Sequence, residues 1–403
     1  MAGFAARTAP AEGTALPLKA KALALADATG RKAVLVTVDL LGLTASMRHR
    51  IAGELERRHA LPPEALMLAA SHTHCGPVVD DQLSVAYDLD ADQRARIRAY
   101  TQDLESRVVA LVESALAAMS ECRLSIGEGT ADFAANRRTA FLPPGPVDHA
   151  VPVLKVEDPN GKIVGVGFGY ACHNTTLPAT VVRFHGDYAG VAQREVEASH
   201  PGALALFLAG CGADANPRPR GTVELVESHG RALATAVAEG LRRTRPIDAR
   251  VTTSLTWVPL PFARVPSAET WKARLEDDDR FVQRHARLML SSLEQGPLET
   301  AHSEPVQVWR LGEWTLVALG GEVVADYLLR LRREHASGPI WVAGYANDVS
   351  CYVPSLRVLR EGGYEGGGAM LYYGRPGPFD DTVEERLIGA VNEVLLGNRG
   401  IGE

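Results

Sequence analysis

The runs Ala65 to Ala70, Ile163 to Ala171 and Ala203 to Leu208 are built almost wholly of apolar residues and glycine, and each leads at once into polar, histidine- or glycine-bearing sequence. Runs of this length suit buried β-strands and fall well short of the ~18–20 apolar residues that span a bilayer. Between or after them lie stretches with helical length and periodicity: about Ser46 to His59, Asp92 to Met119, near Gly190 to Ser199, and Val223 to Arg243. Strands that deliver polar residues at their ends, alternating with amphipathic helices, imply an α/β fold with a layered mixed β-sheet core and flanking helices.

The remaining segments extend that pattern. Leu16 to Asp27 and Ala33 to Leu40, separated by Ala28-Thr29-Gly30-Arg31, predict a β-hairpin, and Val151 to Val156 predicts a strand. Arg250 to Pro261 reads as another strand, Ala268 to Leu293 as a charged helical stretch, and Leu311-Gly312-Glu313 as the turn of a second hairpin. Glu322 begins an expected helix through Arg333, Pro339 to Ala343 is an expected strand, and Thr382 to Leu396 closes the chain as a helix. The run Gly165-Val166-Gly167-Phe168-Gly169 lacks the GxGxxG spacing of a dinucleotide loop and reads as a strand with close backbone packing. No repeat or low-complexity linker divides the chain, so 1–403 is expected to form one unit with lobes of about 1–248 and 249–403.

With 403 residues and 46% hydrophobic content the chain has ample material for a core. Its net charge of −7 supplies no electrostatic reason to bind nucleic acid or an anionic membrane, which leaves a small-molecule substrate. The start, Met-Ala-Gly-Phe-Ala-Ala-Arg, shows no secretory signal, and the protein as written reads as cytoplasmic, without a transmembrane segment and with its oligomeric state open. Cys75, Cys122, Cys172, Cys211 and Cys351 are odd in number and show no CxxC spacing, which argues against a disulfide framework. Four of them flank the polar motifs, where they are metal ligands, a nucleophile or, most simply, small buried residues.

Ser71-His72-Thr73-His74-Cys75-Gly76-Pro77 places two imidazoles at i and i+2 after an apolar strand, so both can point to one side. Such a pair can hold a metal or merely hydrogen-bond at a strand end. His173, in Tyr170-Ala171-Cys172-His173-Asn174-Thr175-Thr176, adds a third imidazole at another strand end. Glu322 follows Ala318-Leu319-Gly320-Gly321, where a carboxylate can favour a helix dipole or face a metal. Tyr345 to Pro354 and Tyr364-Glu365-Gly366-Gly367-Gly368 form an aromatic, glycine-bearing loop region.

In this order the motifs resemble those of the neutral/alkaline ceramidase family: HTHxGP, a strand ending in His before two hydroxyl residues, GxGxDxxP, GE, and YV followed by YEG. The resemblance runs from about Asp39 to Gly366, and the separate C-terminal β-sandwich of typical members finds no room in the chain. It implies a Zn²⁺ site carried by His72, His173, Glu322 and Tyr352, with His74 and Tyr364 close to the zinc-bound water and Arg137 facing the substrate. Their simpler readings are a supporting His, a core Tyr and a solvated Arg.

Two departures matter. Where the family carries a serine implicated in ceramide cleavage, Gly210-Cys211-Gly212-Ala213-Asp214-Ala215-Asn216-Pro217 places Asn216, which can hold a substrate oxygen but cannot act as an alcohol nucleophile. Members commonly begin with a strand and a Pro-containing turn ahead of the region that Gly3 to Arg7 resembles, so the start reads as truncated and export stays open. The implied activity is zinc-dependent hydrolysis of an amide in an acyl substrate, amphiphilic or ceramide-like, by metal-activated water. In it His74 moves protons, Tyr364 or Arg137 stabilises the oxyanion and Asn216 orients the substrate. Ester or lactone hydrolysis on the same scaffold and a non-catalytic metal-containing binding protein are the alternatives.

Overall fold

The computed structural model describes residues 1–248 and 250–397. Strand β1 (Ala20–Ala26) turns back antiparallel onto β2 (Lys32–Val38), as the hairpin pattern predicts, and β2 then pairs in parallel with β3 (Leu66–Ala70). Helix α1 (Ala45–His59) makes that crossover. Its start is capped by Thr44, whose hydroxyl accepts the Met47 N–H, and its inner face buries Met47, Ile51 and Leu55 at about 1.5–3 kcal/mol each. Helix α2 (Ala91–Ala117) opens with a capping box: the Gln93 N–H bonds Asp90 Oδ1 at 2.7 Å and the Asp90 N–H bonds Gln93 Oε1 at 3.0 Å.

A second sheet runs β10-β4-β6-β7-β8 and comprises β4 (Arg123–Thr130), β6 (Ala150–Glu157), β7 (Ile163–Tyr170), β8 (Leu204–Ala209) and the short β10 (Arg245–Pro246). Only the β7–β8 pair in it is parallel. Helices α3 (Asp187–Ser199) and α4 (Val223–Arg242) cover it. The glycine-bearing run before α3 is strand β7, as expected. Strand β4 has no counterpart among the sequence-derived elements, because its Gly127 and Gly129 spoil the apolar pattern. Those glycines admit α4: a Cβ on Gly129 would stand 1.9 Å from the Ala236 carbonyl oxygen. Two three-residue strands, β5 (Ala134–Asn136) and β9 (Ala215–Pro217), pair antiparallel.

The third sheet runs β11-β12-β13-β15, from β11 (Val251–Pro261), β12 (Ala301–Leu311), β13 (Trp314–Leu319) and β15 (Ile340–Ala343). The charged stretch expected as one helix is broken into α5 (Ala268–Ala273), a 3₁₀ turn and α6 (Arg280–Gln295). Asp279 causes the restart, its carboxylate accepting the Phe281 N–H at 2.7 Å as an N-cap. Glu322 does not begin a helix. Glu322–Val323 is a two-residue strand, β14, paired in parallel with β16 (Tyr352–Val353), and helix α7 (Ala325–Glu334) starts beyond it. Helices α8 (Leu356–Glu361) and α9 (Val383–Gly397) complete the described chain.

Leu25, Met67, Leu206, Trp309 and Trp341, drawn from all three larger sheets, share one buried cluster, while helices pack on the opposite faces. The fold is thus the layered mixed α/β architecture expected. Beyond β3, β7, β8, β13 and β15 the chain crosses over itself through the bridges Ala69–Ala346, Thr73–Asn174 and Gly210–Ala343. Polar loops from all these strand ends meet there. Among the described residues no helix is long and apolar enough to cross a membrane.

Candidate metal centre

Immediately past β3 the backbone enters the left-handed region at His72, with φ 58°, and turns the imidazole inward. Its Nδ1–H donates to the Leu41 carbonyl at 2.7 Å, which leaves the Nε2 lone pair facing the interior. His173, three residues beyond the end of β7, is set the same way: Nδ1–H donates to the Gly212 carbonyl at 2.9 Å. Two imidazoles from separate strands therefore turn bare Nε2 atoms towards one point. Glu322 Oε2 lies 3.1 Å from each of them. The Tyr352 hydroxyl is 3.2 Å from His173 Nε2, brought there by the β14–β16 pairing.

Glu322 is 3% exposed, and its Oε2 has no hydrogen-bond partner among the described residues. A buried carboxylate oxygen facing two unprotonated ring nitrogens is poorly placed for hydrogen bonding and well placed to bind a cation. Donors about 2.0–2.2 Å from a tetrahedral ion stand roughly 3.3–3.6 Å apart, so spacings of 3.1–3.2 Å need only a few tenths of an ångström of adjustment. Burial opposes ionisation of Glu322, and positive charge at the His72 and His173 positions is what would hold the carboxyl well below its usual range; with the rings neutral, a cation bound between them brings that charge. Burial and the Arg137 guanidinium push His173 down to about 4. An anionic oxygen beside neutral imidazole is the charge state a metal ligand needs.

The other predicted residues border the same point. His74 Nε2 is 3.1 Å from His72 Nε2, so the three imidazoles form one group and His74 can reach a shared cation as well as a water beside it. Burial, then the neighbouring His72 and His173, push its ring well below the usual range. Arg137, placed by the β5–β9 pair, donates through Nε to Glu365 at 2.7 Å and through Nη2 to the Tyr352 hydroxyl at 3.0 Å. Asn216 Oδ1 lies 3.4 Å from the Thr175 hydroxyl and 3.5 Å from Arg137 Nη1. Tyr364 stands 45% exposed with its ring edge-on to Tyr352. His74, Arg137, Asn216, Tyr352 and Tyr364 all line a cleft of about 1000 Å³.

Sequence reasoning missed Tyr373, whose hydroxyl donates to Glu322 Oε1, and Glu365 as the anchor of Arg137. Nothing local distinguishes Tyr373 from a packing tyrosine. Glu365 sits inside the Tyr-Glu-Gly motif and was within reach. Of the cysteines, Cys75, Cys172, Cys211 and Cys351 are buried, and burial pushes each thiol above its ordinary range, which argues against a nucleophile.

Residues 1–210 match the family model described as neutral/alkaline non-lysosomal ceramidase, N-terminal. Among solved structures, neutral ceramidase from Pseudomonas aeruginosa superposes with a TM-score of 0.75 at 19% identity, covering 95% of this chain and 69% of that one. A structure described as ceramidase complexed with C2 gives a TM-score of 0.74 at 17% identity, covering 98% of this chain and 73% of that one. At these identities the structures bear on the fold alone. A search of curated proteins finds no match.

Proposed function

Because the chain belongs to the neutral/alkaline non-lysosomal ceramidase family, we propose that it is a zinc-dependent hydrolase cleaving the amide bond of an N-acyl substrate with water as the nucleophile. The observation that carries this is the convergence of His72 Nε2, His173 Nε2 and Glu322 Oε2, the last without a hydrogen-bond partner among the described residues, beside a cleft lined by His74 and Tyr352. Zinc held there supplies Lewis acidity that lowers the pKa of water towards ~7 and polarises an acyl carbonyl.

The side chains around that point divide the remaining work. His74 has a ring kept neutral by burial and so can accept a proton from the attacking water and return it to the leaving amine. Arg137 is held rigidly by Glu365 and brings a fixed positive charge to the Tyr352 hydroxyl, where charge develops on the acyl oxygen. The Tyr364 phenol, pushed above its usual range by burial and by Glu322, remains a donor. With its oxygen turned to Thr175 and Arg137, Asn216 has its amide nitrogen left to hold a substrate oxygen. Phe4, Phe141, Pro217 and Pro219 offer apolar surface beside the exposed Arg218 and Arg220, a lining suited to an amphiphilic acyl substrate.

Metal analysis of the purified protein with paired N-acyl amide and ester substrates tests this. Zinc-bearing protein should cleave the amides, His173→Ala should lose metal and turnover together, and His74→Ala should keep more metal than His72→Ala while losing turnover. Protein that holds no zinc, or zinc-loaded protein that cleaves no member of a broad acyl library, refutes the assignment.

A further inference from the structure

Behind the first cluster lies a second, none of whose residues lines the cleft. Strand β12 carries His302-Ser303-Glu304, whose first and third side chains share a face. His302 Nε2 is 3.0 Å from Glu304 Oε2 and 3.7 Å from Asp348 Oδ2. Cys351 closes the chamber: ligand atoms of His302, Glu304 and Cys351 all fall within 4.8 Å of one another. Relative exposures are 4% for His302, 0% for Glu304, 2% for Asp348 and 0% for Cys351. We propose that a second divalent transition-metal ion binds in this chamber, held by His302, Glu304, Cys351 and Asp348.

A carboxylate with no access to water needs a compensating cation or a full set of donors. Glu304 has neither. Its Oε1 is buried with no hydrogen-bond partner among the described residues, and the side chain fits only because Gly320 and Gly321 lack Cβ atoms, that of Gly320 falling 2.5 Å from Oε1. Burial pushes the carboxyl up to about 8, Arg375 offsetting only part of the cost. Arg375 is itself committed elsewhere, donating through Nε to the Ser350 carbonyl at 3.0 Å and lying 3.6 Å from Glu299. A divalent ion bound by Glu304, Asp348 and a Cys351 thiolate would offset two of their three negative charges. Imidazole nitrogen, thiolate sulfur and carboxylate oxygen together suit zinc and its neighbours, not magnesium or calcium.

This ion would brace the first site. The Cys351 carbonyl accepts the Glu322 N–H at 2.8 Å, and the Asp348 carbonyl accepts the Gly321 N–H at 2.7 Å, so the segment 348–352 and Glu322 move as one. Tying that segment to β12 fixes both oxygen ligands of the catalytic cluster from behind.

Cobalt(II) distinguishes the two sites, because the first offers only nitrogen and oxygen donors and the second a thiolate. The full chain, stripped and reloaded with cobalt, should take up about two equivalents and show a near-ultraviolet thiolate-to-cobalt charge-transfer band. Cys351→Ser should abolish the band and one equivalent while the cobalt held by His72 and His173 stays. His173→Ala should do the reverse, leaving the band in place whether or not the protein proves to be a hydrolase. If Cys351→Ser does not fold, the band and the metal count of the wild-type protein decide. Cobalt uptake by the wild-type protein without a thiolate band, or a band that survives Cys351→Ser, overturns the proposal.

Discussion

Tyr373→Phe removes the hydrogen bond that holds Glu322 from its far side. The Tyr373 phenol donates to Oε1, while Oε2 faces His72 and His173 at 3.1 Å. Burial and the Glu322 charge push the phenol well above its usual range, so it remains a donor at neutral pH. The carboxylate is 3% exposed, and water is poorly placed to replace the lost donor. A hydrogen bond to a charged group contributes about 1.5–3 kcal/mol, and about 1.4 kcal/mol is tenfold in affinity. Zinc affinity is therefore expected to fall about 10- to 100-fold, the range found for groups that orient metal ligands. Phenylalanine keeps the ring, which packs edge-on against Tyr352, so the fold should survive. Competition against a chromogenic chelator measures the affinity, a thermal melt by circular dichroism checks the fold, and turnover should recover at saturating zinc. A folded variant with wild-type zinc affinity would refute the reasoning.

Asn216→Ala should lower turnover ~10²- to 10³-fold with metal content unchanged, because it removes the group proposed to hold the substrate oxygen. An acyl-enzyme detected by mass spectrometry on the wild-type protein would contradict the direct use of water. Gly129→Ala, which drives a Cβ to 1.9 Å from the Ala236 carbonyl oxygen, should force α4 off β4 and cost at least ~1–3 kcal/mol in urea denaturation. An unshifted midpoint would show that the helix moves freely. Burial pushes His285 from 6.5 down to about 4, so above pH 6.5 its neutral ring costs nothing, and the stability is lost as pH falls from 6.5 towards 4. That loss is ~3 kcal/mol at most, and His285→Leu should flatten the stability profile in this window. An unchanged slope would place the acid sensitivity elsewhere.

What the sequence determined by itself is what the chain does locally. Apolar runs such as Leu66–Ala70 and Leu204–Ala209 form strands because nothing in them tolerates water, and helices such as α1 and α4 end near the expected residues because their apolar faces and caps lie within a turn or two. The placement of His72, His74 and His173 at strand ends follows from the same local signal. Tertiary structure decided the rest. Glu322 reads as a helix start because the residues after it do form a helix, yet its own partner is Tyr352, far along the chain, and a two-residue strand carries no periodicity to read. Strand β4 is hidden by glycines whose purpose is the approach of α4. Tyr373, Glu365 and the His302–Glu304–Cys351 chamber acquire their roles only from the groups packed against them. A side chain's burial and charge partners are set by long-range contacts, and a single sequence records the residue without recording its neighbour.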